Sequence, residues 1–155
     1  MTLLVDLIRI FLSSMVGTLG FAAILQAPRQ AWIPSALLGG ASYALYWLLM
    51  YLGLTEPTAI FIASMTVSLL AQICARRIHM IATIFVALSL IPLVPGLGLY
   101  RSMELLGQGR NAAGLQAGVA AMISIMMIAL GIAVGAFLFR AAFAIHHHYR
   151  HKEGT

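Results

Sequence analysis

The apolar residues of this chain fall in long blocks parted by brief polar breaks, and block length is what most limits the fold. A hydrocarbon core about 30 Å thick needs roughly 20 apolar residues at the helical rise. Blocks at about 3–25, 32–52, 57–74, 78–94 and 114–139 meet or approach that length. Strands of a membrane barrel are shorter and alternate polar with apolar, which these blocks do not. The expected fold class is therefore an all-α integral membrane protein of about five transmembrane helices, with a Pro/Gly-broken segment after the fourth. Residues 1–145 form a single transmembrane domain and 146–155 a basic, His-rich tail. Charge agrees with this class. Only 8% of residues are charged, against about a quarter in soluble domains.

The net charge of +5 does not point to nucleic acid, because the nine Lys and Arg are scattered singly and form no basic stripe. They serve as topology signals instead. With five spans, Arg29, Arg76, Arg77, Arg140, Arg150 and Lys152 share one side, and Arg9, Arg101 and Arg110 the other. The excess predicts an outer N-terminus and a cytoplasmic C-terminus in a bacterial inner membrane. Trp32, Trp47 and Tyr51 near the ends of the second span suit the two interfaces. Pro34 is expected in that span's first turn, where a missing N–H costs little. Thr55 and Pro57 resemble a helix start. The first span lacks the basic leading region of a secretory signal, and Gln26-Ala27 is a weak cleavage-like end. The single cysteine, Cys74, excludes an internal disulfide.

Small residues recur every fourth position in Ser13/Gly17, Ala36/Gly40/Ala44, Ser64/Ser68, Gly114/Gly118 and Gly131/Gly135. Such faces let helices approach closely in lipid, either within the chain or against a second subunit. The most informative stretch is Ile91-Pro92-Leu93-Val94-Pro95-Gly96-Leu97-Gly98-Leu99-Tyr100-Arg101. Two prolines and two glycines straight after an apolar run must break a helix. Broken backbone at membrane depth is tolerated only in protein or against a wet cavity, where its freed amides and carbonyls can hold a polar substrate. Arg101 follows at once, and a guanidinium can grip a carboxylate with two parallel bonds. In hydrocarbon it would cost about 2.5–3.5 kcal/mol and so needs a partner or water. A proline-terminated helix with Arg101 snorkelling to headgroups is the alternative.

At this stretch, Pro92-Leu-Val-Pro95-Gly96-Leu-Gly98-Leu-Tyr100-Arg101 resembles the signature of the small, all-membrane half of the threonine/serine exporter family. Size, five spans and the place of the signature after the fourth span fit over essentially the whole chain. The closest resemblance is to the YjjB-type small subunit of the split form. It implies one component of a pair, working with a larger membrane subunit in the bilayer. It further implies export of small carboxylates, succinate or threonine and serine, driven by a proton or charge gradient. Pro92, Pro95, Gly96, Gly98, Tyr100 and Arg101 carry over. The prolines and glycines would shape the break, and Arg101, with Tyr100, Gly96 and Gly98, would meet the substrate.

Other residues carry weaker signals. Glu104, three after Arg101, and Asp6 are candidates for proton or charge relay. Asp6 and Glu56 could relay protons if buried, but both sit near span ends, where carboxylates are usually solvated. Ser64, Thr66, Ser68, Gln72, Thr83 and Ser89 could line a path, although such residues more often bond backbone. His147 and His151 have ligand-pair spacing, yet beside Arg150 and Lys152 a headgroup-facing tail is the better reading. No cofactor or metal is expected. An integral membrane enzyme would need a nucleophile, base or metal constellation that is missing from the motifs. A non-transporting scaffold that stabilises its partner stays open.

Overall fold

A computed structural model of the chain describes residues Thr2–Lys152, with side chains from Leu3 to Ala142. Every regular element among the described residues is helical: α1 (Thr2–Ile24), α2 (Arg29–Tyr51), α3 (Glu56–Ile78), α4 (Ala82–Leu90), a 3-10 turn (Ile91–Leu93), α5 (Gly96–Gly107) and α6 (Asn111–Lys152). Four helices are long and apolar enough to cross a bilayer, and five crossings result if the bent α4–α5 pair counts as one. The chain is an all-α membrane protein. Residues Glu153–Thr155 and the side chains of the histidine run lie outside what is described.

α1, α2 and α3 are each 23 residues long, about 35 Å at the helical rise and enough for one crossing. Short links reverse the chain between them. Pro28, with extended backbone at ψ 134, starts α2 at Arg29. Pro34 is thus the sixth residue of the helix, not part of its first turn. The helix begins through polar Arg29-Gln30, ahead of the apolar block that marks the span in sequence. α3 ends on His79, whose left-handed backbone (φ 57) lets the Met80 N–H reach Ala75 O at 2.9 Å. Arg76 and Arg77 occupy the last turn, where the helix dipole favours cations.

Close approach between helices comes from the small residues. A Cβ on Gly40 would stand 2.9 Å from Phe11 of α1, and one on Gly39 would strike Thr18. Gly131 and Gly135 of α6 seat Ser64 and Ser68 of α3, while Gly114 and Gly118 seat Leu106 and Ser102 of α5. Most of the four-residue pattern is therefore used inside this chain. Gly17 is not, and nothing lies within 4 Å of the Cβ it lacks. Four of the six polar candidates in the spans follow the bland expectation, whereas among the described residues Gln72 Nε2 is buried without a hydrogen-bond partner. Ser64, Thr66 and Ser89 donate to Phe61 O, Ile62 O and Phe85 O of their own helices, and Ser68 donates to Ile132 O across the α3–α6 seam.

These contacts also fix direction. Residues 124, 131 and 135 of α6 meet residues 56, 64 and 68 of α3 in rising order, so the two helices run parallel. Residues 111–123 therefore overhang the start of α3, by about 20 Å at the helical rise. α5 packs antiparallel along this overhang, with Gly98 at Ala121, Ser102 at Gly118 and Leu106 at Gly114. The segment expected to cross at 78–94 holds only the nine-residue α4 and the turn. Much of the expected connection at 97–113 is α5.

Candidate functional site: a cavity at the helix break

Proline chemistry produces the break. Pro92 and Pro95 have no N–H, so two bonds that would continue α4 cannot form. Pro92 is tolerated in the 3-10 turn, and Val94 then opens to extended backbone at ψ 126. Pro95 adopts φ −77 and ψ 56, and the Gly96 N–H donates across it to Val94 O at 2.7 Å. That is an inverse γ-turn. The α4 and α5 axes differ by 52° across it. The Gly96 amide is thereby taken and Leu99 N–H donates to Pro95 O at 3.2 Å, so the amides of Leu97 and Gly98 are the ones at this helix start without an i−4 acceptor inside the helix.

The break borders a cavity of about 450 Å³. Four elements wall it. The break and α5 contribute Pro92 through Gly98 and Arg101, and α6 contributes Ala117, Ala120 and Ala121. α2 contributes Tyr43 and Tyr46, whose ring centroids are 5.6 Å apart, and α3 contributes Glu56 and Ile60. Glu56 is placed from the α6 side, where the Ser124 hydroxyl approaches Oε1 at 3.4 Å and also bonds Ala120 O at 3.2 Å. Ala117, Ala120 and Ala121 keep the α6 wall flat, which leaves the space between α3 and α5 open. A guanidinium, a carboxylate and two phenols thus surround one space.

The sequence candidates divide across the structure. Pro92, Pro95, Gly96, Gly98 and Arg101 all border the cavity. Tyr100 does not line it and is 66% exposed on the other face of α5. Glu104 shares no bond with Arg101, and its Oε1 instead accepts from Gln108 Nε2 at 3.4 Å. Asp6 lies with Arg9 and Trp47 in a separate shallow hollow. Sequence reasoning missed Tyr43 and Tyr46 and set Glu56 aside as solvated. Two tyrosines three apart in an apolar span share one helical face, and that spacing was the available signal.

The cavity and the break lie within residues 10–142, which match the family model described as Threonine/Serine exporter, ThrE. The chain belongs to the threonine/serine exporter family. Family membership and the apolar helices make it a multi-pass membrane protein of exporter type. No curated protein and no solved structure matches it. Within this exporter chain the break motif, Arg101 and Glu56 border one cavity.

Proposed function

We propose that this chain is the transmembrane subunit of a two-component secondary exporter of small carboxylates, working with a larger membrane subunit of the same family. The observation that carries this reading is the pairing of Arg101 and Glu56 on one cavity. The Arg101 guanidinium suits a carboxylate held by two parallel bonds. Glu56 and the faces of Tyr43 and Tyr46 suit an ammonium group, by charge and by cation–π attraction. Together they select an α-amino acid of the threonine/serine class over succinate, whose second carboxylate would confront Glu56. The amides at the start of α5 add donors on the carboxylate side.

The need for a partner is supported by what one chain leaves uncovered. The outer row of α5 is exposed, Tyr100 by 66% and Met103 by 74%, and lies outside the cavity lining. Arg101 and Glu56 are exposed as well, so a single copy does not seal the cavity from its surroundings. A second membrane subunit against α5 would close it. The orientation proposed is an outer N-terminus in the bacterial inner membrane. It is supported by Arg29, Arg76 and Arg77 gathering at the end of the bundle away from the cavity.

The deciding experiment is efflux of labelled threonine and of labelled succinate from loaded cells, with this chain and the larger subunit expressed together and singly. Threonine efflux that needs both chains and exceeds succinate efflux is the expected result. Efflux by the larger subunit alone would leave this chain a scaffold.

A further inference from the structure

Glu56 has a second consequence, which rests on the reading of the cavity as an amino-acid site. An exporter that moves its substrate against a gradient must bind it and then be made to let go. The simplest device is one carboxylate for which the substrate's ammonium and a proton compete, since a single group cannot satisfy both. Among the described residues one carboxylate borders this cavity. The other groups there that carry charge or an ionisable proton are Tyr43 and Tyr46 of α2 and Arg101 of α5, while the α6 wall is three alanines and the turn adds only Pro92 and Leu93. Glu104 and Asp6, the carboxylates the sequence favoured for relay, lie elsewhere.

We infer that Glu56 is the coupling residue: a proton and the substrate's ammonium group displace one another from its carboxylate. Three features suit it to this. It is exposed in the chain, so water can deliver a proton to it. It stands in the first turn of α3, on the same cavity as Arg101 of α5. The Ser124 hydroxyl, whose single hydrogen Ala120 O also competes for, comes within 3.4 Å of Oε1 from the α6 side. The exchange balances simply. A proton from the aqueous side adds to the Glu56 carboxylate as the ammonium departs with its own protons intact. The proton is given up on the opposite side as the next ammonium arrives. One proton then moves inward for each amino acid moved outward, and Arg101 keeps its charge throughout.

The test uses proteoliposomes holding this chain together with the larger subunit, with labelled threonine and an internal pH dye. The wild type should accumulate threonine under an imposed pH gradient and also exchange threonine for threonine without one. Glu56→Gln should abolish gradient-driven accumulation and threonine-linked proton movement. Exchange should persist with KM raised about tenfold, because a neutral amide oxygen replaces a charge-assisted acceptor. Gradient-driven accumulation by Glu56→Gln would overturn the inference. Loss of exchange in Glu56→Gln and in Glu56→Asp alike would also overturn it, leaving Glu56 a binding group only. Exchange unaffected by Arg101→Ala would instead reject the amino-acid site itself, and the coupling role with it.

Discussion

Arg101 can be weighed against its neighbours because the break aims three adjacent side chains differently. Arg101 borders the cavity, Tyr100 turns outward and Ser102 is buried, donating to Gly114 O at 2.7 Å. Consecutive residues on a helix point about 100° apart, and of these three Arg101 alone lines the cavity. Arg101→Ala should eliminate threonine efflux while membrane insertion stays normal. Arg101→Lys separates charge from geometry. An ammonium keeps the charge and loses the paired bonds, so transport should fall by about tenfold or more through KM, as loss of a charged hydrogen bond worth about 1.5–3 kcal/mol implies. Efflux kinetics across a threonine series would read this, and an unchanged KM in Arg101→Lys would argue against two-bond recognition. Glu56 was less visible in the sequence for a definite reason. A carboxylate at a span end is normally solvated, and what makes this one different is the overhang of α6 and α5, which brings Ala117 and Arg101 alongside it. That contact joins residues far apart in sequence, and no local pattern encodes it.

At the scale of elements, periodicity and punctuation were well marked. Apolar block length located the long helices, and Pro92, Pro95 and Gly96 located the break. What could not be read was the conformation beyond the break. Gly96 to Gly107 contains three glycines and an Arg, a composition that suits a loop as well as a helix in isolation. It is helical because Gly114 and Gly118 on α6 leave room for Leu106 and Ser102. Packing against a distant partner overrode weak local propensity. The same logic separates glycines that look alike in sequence. A Cβ on Gly131 would strike Ser64 Oγ and lie 2.8 Å from Phe61 O, whereas one on Gly17 would meet nothing within 4 Å. Gly131→Ala should therefore destabilise the fold by about 1–3 kcal/mol through forced separation of α3 and α6. Gly17→Ala should be neutral or slightly stabilising, since alanine is the better helix former. Unfolding in mixed micelles would compare them, and equal stability of the two variants would contradict the tight α3–α6 seam.

For the whole molecule, the governing fact is that α6 is longer than one crossing. Its apolar stretch begins at Ala112 and ends at Arg140, well beyond the roughly 20 residues a bilayer needs. Because α6 runs level with α3 from Ser124 onward, the surplus lies at the Glu56 end. It is shared there with α5, and it carries the exposed Leu115, Val119 and Met122. Membrane thickness leaves little room for this overhang if α1, α2 and α3 lie fully within the bilayer. Two outcomes are distinguishable. Either the overhang stands clear of the membrane on the outer side, covered by a second subunit, or the bundle shifts so that lipid covers it and the opposite end emerges. In a Cys74→Ser background, a cysteine at Gln108 reports the tip of the overhang, and one at Gln30 reports the basic end. Both positions are exposed in the chain. An outer N-terminus requires the Gln108 cysteine to react with an impermeant maleimide in intact cells, and the Gln30 cysteine to react only after permeabilisation. The reverse pattern would invert the protein and make Glu56 face the cytoplasm. If the Gln108 cysteine reacts in cells expressing this chain alone and is protected when the larger subunit is present, the overhang is the surface the second subunit covers. Protection in both cases would place it in lipid.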